Sequence, residues 1–118
     1  MYLADRVKDT STTTGPGTIT LVGTPASTFV AVGTAYAVGD VFPYVMQHES
    51  ANEWEIGNGV ILTSTTFSRS AGDVQNGSSG AGVLVNFSAG TKTVFANLSA
   101  DDAATVSQTL ALNLYGNY

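Results

Sequence analysis

The stretch Glu53-Trp54-Glu55-Ile56 alternates polar and apolar residues, and short runs of that kind recur along the chain, each cut off by Gly, Pro, Asn or Ser. A period of two is the mark of a half-buried β-strand. Helix formers are scarce while Gly, Thr and Val are plentiful, which favours pleated over helical backbone. The breaks come too often for long elements. The pattern predicts an all-β fold: a small β-sandwich or barrel, jelly-roll-like, of about 7–8 short strands with extended termini.

Residues 3–9 read as a short strand or arm, followed by the Gly15-Pro16-Gly17 break. Thr18 to Val22 reads as a strand with Ile19 and Leu21 on one face. Phe29 to Val32 is a short apolar element. Val41 to His48 is a strand whose Pro43 cannot donate a ladder hydrogen bond, which predicts an edge or a bulge. Ser50-Ala51-Asn52 is a turn, and Asn58-Gly59 carries a hairpin signal. Trp54 and Ile56 then face the core, and Glu53 and Glu55 face water. Residues 70–82, SAGDVQNGSSGAG, read as a long surface loop, with strands at Val83 to Phe87 and Thr91 to Leu98. Ser99 with Asp101 and Asp102 resembles a helix start. Leu110, Leu112 and Leu114 alternate as in a last strand or an extended tail. The expected core is Trp54, Ile56, Leu62, Phe67, Val85, Phe87, Val94 and Phe95. Val94 and Phe95 point to opposite faces, so one of them is available to an interface. The division is an arm or first strand over 1–14, a β-domain over 15–105 and a C-terminal strand or tail over 106–118.

Of 118 residues, 11% are charged, against about 25% in ordinary globular domains. Burying charge is the expensive step in association, so a neutral surface suits a protein that lies against other protein. The net charge is −5 with only 4 Lys and Arg, which argues against a nucleic-acid partner. The absence of cysteine excludes disulfides and thiolate metal sites. No apolar run reaches the roughly 20 residues of a membrane span. The start MYLADRV lacks a basic head before an apolar stretch, so the expectation is a chain made in the cytoplasm, with no membrane partner.

Candidate chemistry is thin. Glu53 and Glu55 could form an acid/base pair, but their alternation with Trp54 and Ile56 favours a solvated face. His48, the only histidine, has Ser50 nearby but no third, orienting group, and reads as a surface or hairpin residue. One histidine with scattered acids makes a poor metal site, so no metal and no cofactor are expected. Trp54, Tyr44 and Tyr36 could stack on a sugar, which gives a carbohydrate-binding module as one alternative. The expectation is a protein without enzymatic activity.

Two stretches carry a resemblance. LADRVKDTSTTTGPGTITLVG, residues 3–23, resembles the opening of a small module in structural proteins of tailed bacteriophages. That opening commonly reads ADRV-K-[DE]-T, then Thr and Gly, then T-[IL]-T-L. NEWEIGNGVILTSTTFSRS and VNFSAGTKTVFANL, residues 52–70 and 85–98, are similar to that module's W-E-x-G, [LF]-S-R and N-F-[SA]-A-G-T-K-x-V-F segments. The middle, residues 27–51, matches loosely, and residues 99–118 have no counterpart. The resemblance implies a virion component rather than an enzyme. A chain of 12.1 kDa without a fibre shaft suits a capsid decoration or cement protein on the particle surface. Its partners would be the major capsid protein or other virion proteins, and it would form a homo-oligomer, dimer or trimer. A tail, neck or fibre-attachment component is the alternative. The candidate interface is Asp5, Arg6, Lys8 and Asp9 on the arm, with Leu110, Leu112, Leu114 and Tyr115 at the other end.

Overall fold

The computed structural model describes residues 6–24 and 28–96. Seven strands form an antiparallel, nearly closed barrel. They are β1 (Lys8–Ser11), β2 (Ile19–Thr20), β3 (Val41–His48), β4 (Trp54–Thr63), β5 (Thr66–Ser68), β6 (Val74–Gly77) and β7 (Lys92–Ala96), with one short helix, α1 (Val32–Ala35). The order across the sheet is β1-β7-β3-β4-β5-β2. The second edge of β4 is shared: β5 pairs with its C-terminal half and β6 with Glu55 to Gly57. The two ends of the sheet meet where Ser11 bridges Leu21, the Val22 N–H donates to Thr10 O at 2.8 Å, and Ser11 Oγ donates to Thr20 O at 2.6 Å. Closure leaves little free edge for unwanted strand pairing.

The interior is aromatic at its centre. Phe42 meets Phe67 edge-on, with centroids 5.2 Å apart, and Tyr36 and Tyr44 pack beside them at 5.1 Å from Phe42 and Phe67 respectively. Val7, Ile19, Leu21, Val32, Met46, Ile61, Val85, Phe87 and Val94 complete the core. Ile19 and Leu21 share the inner face, as their spacing requires. Gly57 and Gly59 on β4 make room for the rings. A Cβ on Gly57 would come within 2.9 Å of the Tyr44 hydroxyl, and one on Gly59 within 2.8 Å of Phe67 Cδ2.

Several expectations are corrected. Asn58-Gly59 is no turn: β4 runs through it, and the reversal falls at Ser64-Thr65, between the Thr63 and Thr66 pair. Gly59 is there for ring packing, not for backbone reversal. The phase of residues 53–56 is inverted, with Glu55 fully buried and Trp54 and Ile56 half-buried on the outer face. Leu62, on that same outer side, is 45% exposed. β3 is not an edge strand, since it lies between β4 and β7. Pro43 stands opposite Asn58 on β4. The glycine-rich stretch 70–82 is not all loop: it holds a 3-10 turn at Ala71–Asp73 and then β6. Residues 83–87 form no strand, although Val85 and Phe87 point inward and Phe87 bridges Gly15. The apolar run from Phe29 holds a parallel bridge, Val30 to Val7, and the start of α1. The helix start at Ser99 and the strand proposed at Val106 to Tyr115 lie outside the described residues.

Candidate functional site

The polar side chains with the most contacts are inside the barrel. Arg69 and Glu55 form an ion pair with both side chains fully buried. Arg69 Nη1 donates to both carboxylate oxygens at 3.0 Å, Nε to Gly17 O at 2.9 Å and Nη2 to Gly15 O at 3.0 Å. Glu55 also accepts the Val85 N–H at 2.7 Å and the Tyr44 hydroxyl in a short hydrogen bond. The guanidinium lies 5.5 Å from the centre of the Phe87 ring. Such a pair is tolerable in the interior because each charge is neutralised and its hydrogen-bonding positions are filled. Burial, followed by the bond to Glu55, pushes the Tyr44 hydroxyl well above the ordinary tyrosine range. This cluster ties β3, β4, the 15–17 strap and the 83–87 segment together. Its hydrogen bonds are spent on the chain itself, so it holds the fold rather than a substrate.

Lys92 and His48, also buried, are likewise engaged by the chain itself, whereas Asp9 Oδ2 is buried without a hydrogen-bond partner. Lys92 Nζ donates to Thr13 O at 2.8 Å, and burial lowers its pKa from the ordinary lysine value. His48 Nδ1 accepts the Ser50 and Ala51 N–H groups at 3.0 Å each, and Nε2 lies 2.8 Å from Ala89 O. That pattern assigns the proton to Nε2 and makes His48 the clasp of the β3–β4 turn. The hairpin placement therefore holds, but the side chain is buried, not on the surface. The Ser50 hydroxyl also lies 3.4 Å from Nδ1, but that nitrogen's lone pair is already shared by two backbone N–H groups, so it is poorly placed to act as a base on Ser50. Glu53 accepts the N–H of Ser88 at 2.9 Å and its hydroxyl at 3.0 Å, and the backbone bond foremost holds its carboxyl below the usual range. Among the described residues no group of three or more metal-ligating side chains converges. Tyr36 and Tyr44 are 2% and 1% exposed, which removes two of the three rings proposed for a sugar platform.

The candidate interface splits. Asp9 is inside, 1% exposed, with Oδ1 accepting the Thr10 and Gly23 N–H groups at 2.8 and 3.0 Å, so it is corrected to a structural residue. Residues 8–11 are strand β1 paired with β7, not a free arm. Arg6 and Lys8 stay outside and converge on one ring: the Arg6 guanidinium is 5.0 Å and Lys8 Nζ 4.9 Å from the Phe29 centroid. Beside them Val7, Lys8, Phe29, Thr93 and Phe95 line a pocket of about 290 Å³. Asp5, Leu110, Leu112, Leu114 and Tyr115 lie outside the described residues. Phe95 is the outward member of the Val94–Phe95 pair. Phe29 had no signal beyond its short apolar run, because only the fold brings it beside β1.

The chain matches no family model, no curated protein and no solved structure at a significant level.

Proposed function

We propose that this protein is a virion structural protein of a tailed bacteriophage, a capsid decoration or cement protein that binds the head shell as a dimer or trimer. What supports the reading is the place of the residues behind the resemblance. Glu55 and Gly57 of the W-E-x-G segment, Arg69 of the F-S-R segment, and Phe87 and Lys92 of the N-F-S-A-G-T-K segment lie in the barrel's interior, and Gly90 of that last segment stands against the buried His48 ring. Arg69 binds Glu55 over Phe87, Lys92 ties down Thr13 O, and a Cβ on Gly90 would meet the His48 ring at 2.9 Å. A likeness concentrated in such residues is a likeness of scaffold, and a scaffold whose polar groups are consumed internally suits assembly better than catalysis. The outer face, with Val60 and Leu62 41% and 45% exposed, is cheap to desolvate.

The test is cryo-electron microscopy of the intact particle with quantitative mass spectrometry of its proteins. A decoration protein occupies repeated positions on the shell, in copies on the order of hundreds. Density at the tail or neck with at most a few dozen copies replaces the shell reading with the tail alternative. Absence from purified particles defeats both.

A further inference from the structure

The pocket beside Phe29 combines features that nothing else in the described fold explains. The chain has 4 basic side chains: Arg6, Lys8, Arg69 and Lys92. Arg69 and Lys92 are buried and engaged inside the barrel. The basic groups left to meet solvent are therefore Arg6 and Lys8, and both stand over the same ring in a protein of net charge −5. Among the described residues neither cation has a carboxylate partner within 4.0 Å; the ion pair there is Arg69–Glu55.

The cations are also held in place. Arg6 has φ 58°, a left-handed conformation that is uncommon for a residue with a side chain. Its carbonyl accepts the Val30 N–H at 2.8 Å, and its Nε donates to Thr28 O at 2.8 Å. Lys8 is fixed by β1, directly opposite Phe95 on β7, and its N–H donates to Val30 O at 3.1 Å. The ladder thus fixes Lys8 on the wall of an apolar pocket that Phe29, Phe95 and Val7 also line, and the strained residue with its bridge to Val30 holds Arg6 over the Phe29 ring beside it. Strained backbone of this kind persists where the surrounding structure over-determines it, and it concentrates at binding sites.

We propose that this pocket is a docking site for a peptide segment of a partner protein that carries an aromatic or large aliphatic side chain next to one or two carboxylates. The apolar side chain fills the space between Phe29 and Phe95, and the carboxylates pair with Arg6 and Lys8. Charge complementarity selects this occupant: a basic segment meets the two cations with like charge, and a purely apolar one leaves them unpaired at a desolvated rim. The inference stands apart from the virion reading. A peptide can fail to bind while particles still carry the protein through another face, and the reverse can also occur.

The test uses full-length, isotope-labelled protein and two synthetic probes, an acetylated and amidated Gly-Phe-Glu-Glu-Gly peptide and its Gly-Phe-Lys-Lys-Gly counterpart, titrated in NMR. The acidic probe is expected to shift the amide signals of Lys8, Phe29, Thr93 and Phe95, and to bind more weakly as salt is raised. The lysine probe is expected to leave them in place. The double variant Arg6→Gln/Lys8→Gln should weaken the acidic probe roughly tenfold, with its remaining spectrum unchanged as evidence of an intact fold. Equal binding of both probes, or no shift at these residues, overturns the proposal. So does an occupant from the chain itself, seen either as shifts at these residues that depend on protein concentration or as nuclear Overhauser contacts between Phe29 and residues 97–118.

Discussion

Arg69 and Arg6 each lie over a phenylalanine ring, at 5.5 Å from Phe87 and 5.0 Å from Phe29, yet their surroundings are opposite. Arg69 is enclosed, with a carboxylate and the Gly15 and Gly17 carbonyls taking its N–H groups. Arg6 is exposed and directs one described bond to its own chain, to Thr28 O. The same side chain on the same kind of ring is thus a structural tie in one place and a solvent-facing charge in the other. Completeness of hydrogen bonding separates the two. Where the chain closes the network, removing a member leaves a buried charge; where it does not, removal leaves only more water.

The largest expected effect comes from opening the closed network. Arg69→Met leaves the Glu55 carboxylate buried without its cation and should destabilise the fold by about 3–5 kcal/mol. Glu55→Met should do the same to Arg69. The double variant Glu55→Met/Arg69→Met removes both charges and should recover much of that loss, giving a strong coupling in a double-mutant cycle. Urea denaturation followed by the single tryptophan measures all three. Additive losses would break the comparison, because the pair would then be two independent packing residues.

Gly59 comes next. An added methyl there meets Phe67 Cδ2 at 2.8 Å and Ser68 O at 2.6 Å. Backbone on one side and a core ring on the other leave little room to yield, so Gly59→Ala should cost about 1–3 kcal/mol in the same assay. A turn glycine at that position would respond differently: Asn58→Ala, which disrupts a hairpin signal but leaves the packing alone, should have the smaller effect.

These two sites also mark how far the sequence could be read. The number and shortness of the strands followed from period-two runs and frequent breaks, and Ile19, Leu21, Phe67, Val85, Phe87 and Val94 fell inside as their patterns implied. Alternation divides a strand into two faces but does not say which is inward. At 53–56 the apolar Trp54 and Ile56 pointed to the wrong answer, because the partner that makes Glu55 acceptable inside, Arg69, is 14 residues away. Asn58-Gly59 failed for a related reason. A glycine needed for close approach looks the same as one needed for reversal until its neighbours across the sheet are known. Arg6 and Lys8 were legible as candidate contact residues, but the pocket was not. Phe29 joins them through the parallel bridge of Val30 to Val7, a contact with no local signal.

Alkali probes the closed network more gently. Tyr44 donates its hydroxyl proton to Glu55, and burial with that bond raises its pKa. In the unfolded chain the same group titrates near the ordinary value of about 10. Above that pH the unfolded state releases a proton that the folded state keeps, so stability falls as pH rises. Lys92 acts in the opposite sense: its pKa is lowered in the fold, so stability rises with pH between that lowered value and the ordinary lysine value. Tyr44→Phe should therefore be less stable at neutral pH by about 1–3 kcal/mol, having lost a donor to a buried carboxylate, yet lose less further stability above pH about 10. Denaturation midpoints of both proteins from neutral to alkaline pH read this directly. Parallel curves would mean that the Tyr44 proton is not held by the network.

The smallest effect is expected where the charges are open, and it is the sharpest test of the contrast. Arg6 and Lys8 lie on opposite sides of the same question as Arg69: they are cations on an aromatic ring, without a described carboxylate. Exposed cation–π contacts are worth about 0.5–1 kcal/mol each, and part of that survives as stem packing when the charge alone is removed. Relief of like-charge repulsion between the two groups offsets some of the remainder. Arg6→Gln/Lys8→Gln should accordingly change stability by less than about 1 kcal/mol, several-fold less than the single Arg69→Met, although it removes two charges rather than one. A loss as large as that of Arg69→Met would show that the two cations clamp Phe29 as part of the fold. The pocket would then be a seam of the barrel, and its open charges would have a structural use. A small loss, with the amide spectrum preserved, leaves two positioned cations that the fold does not need.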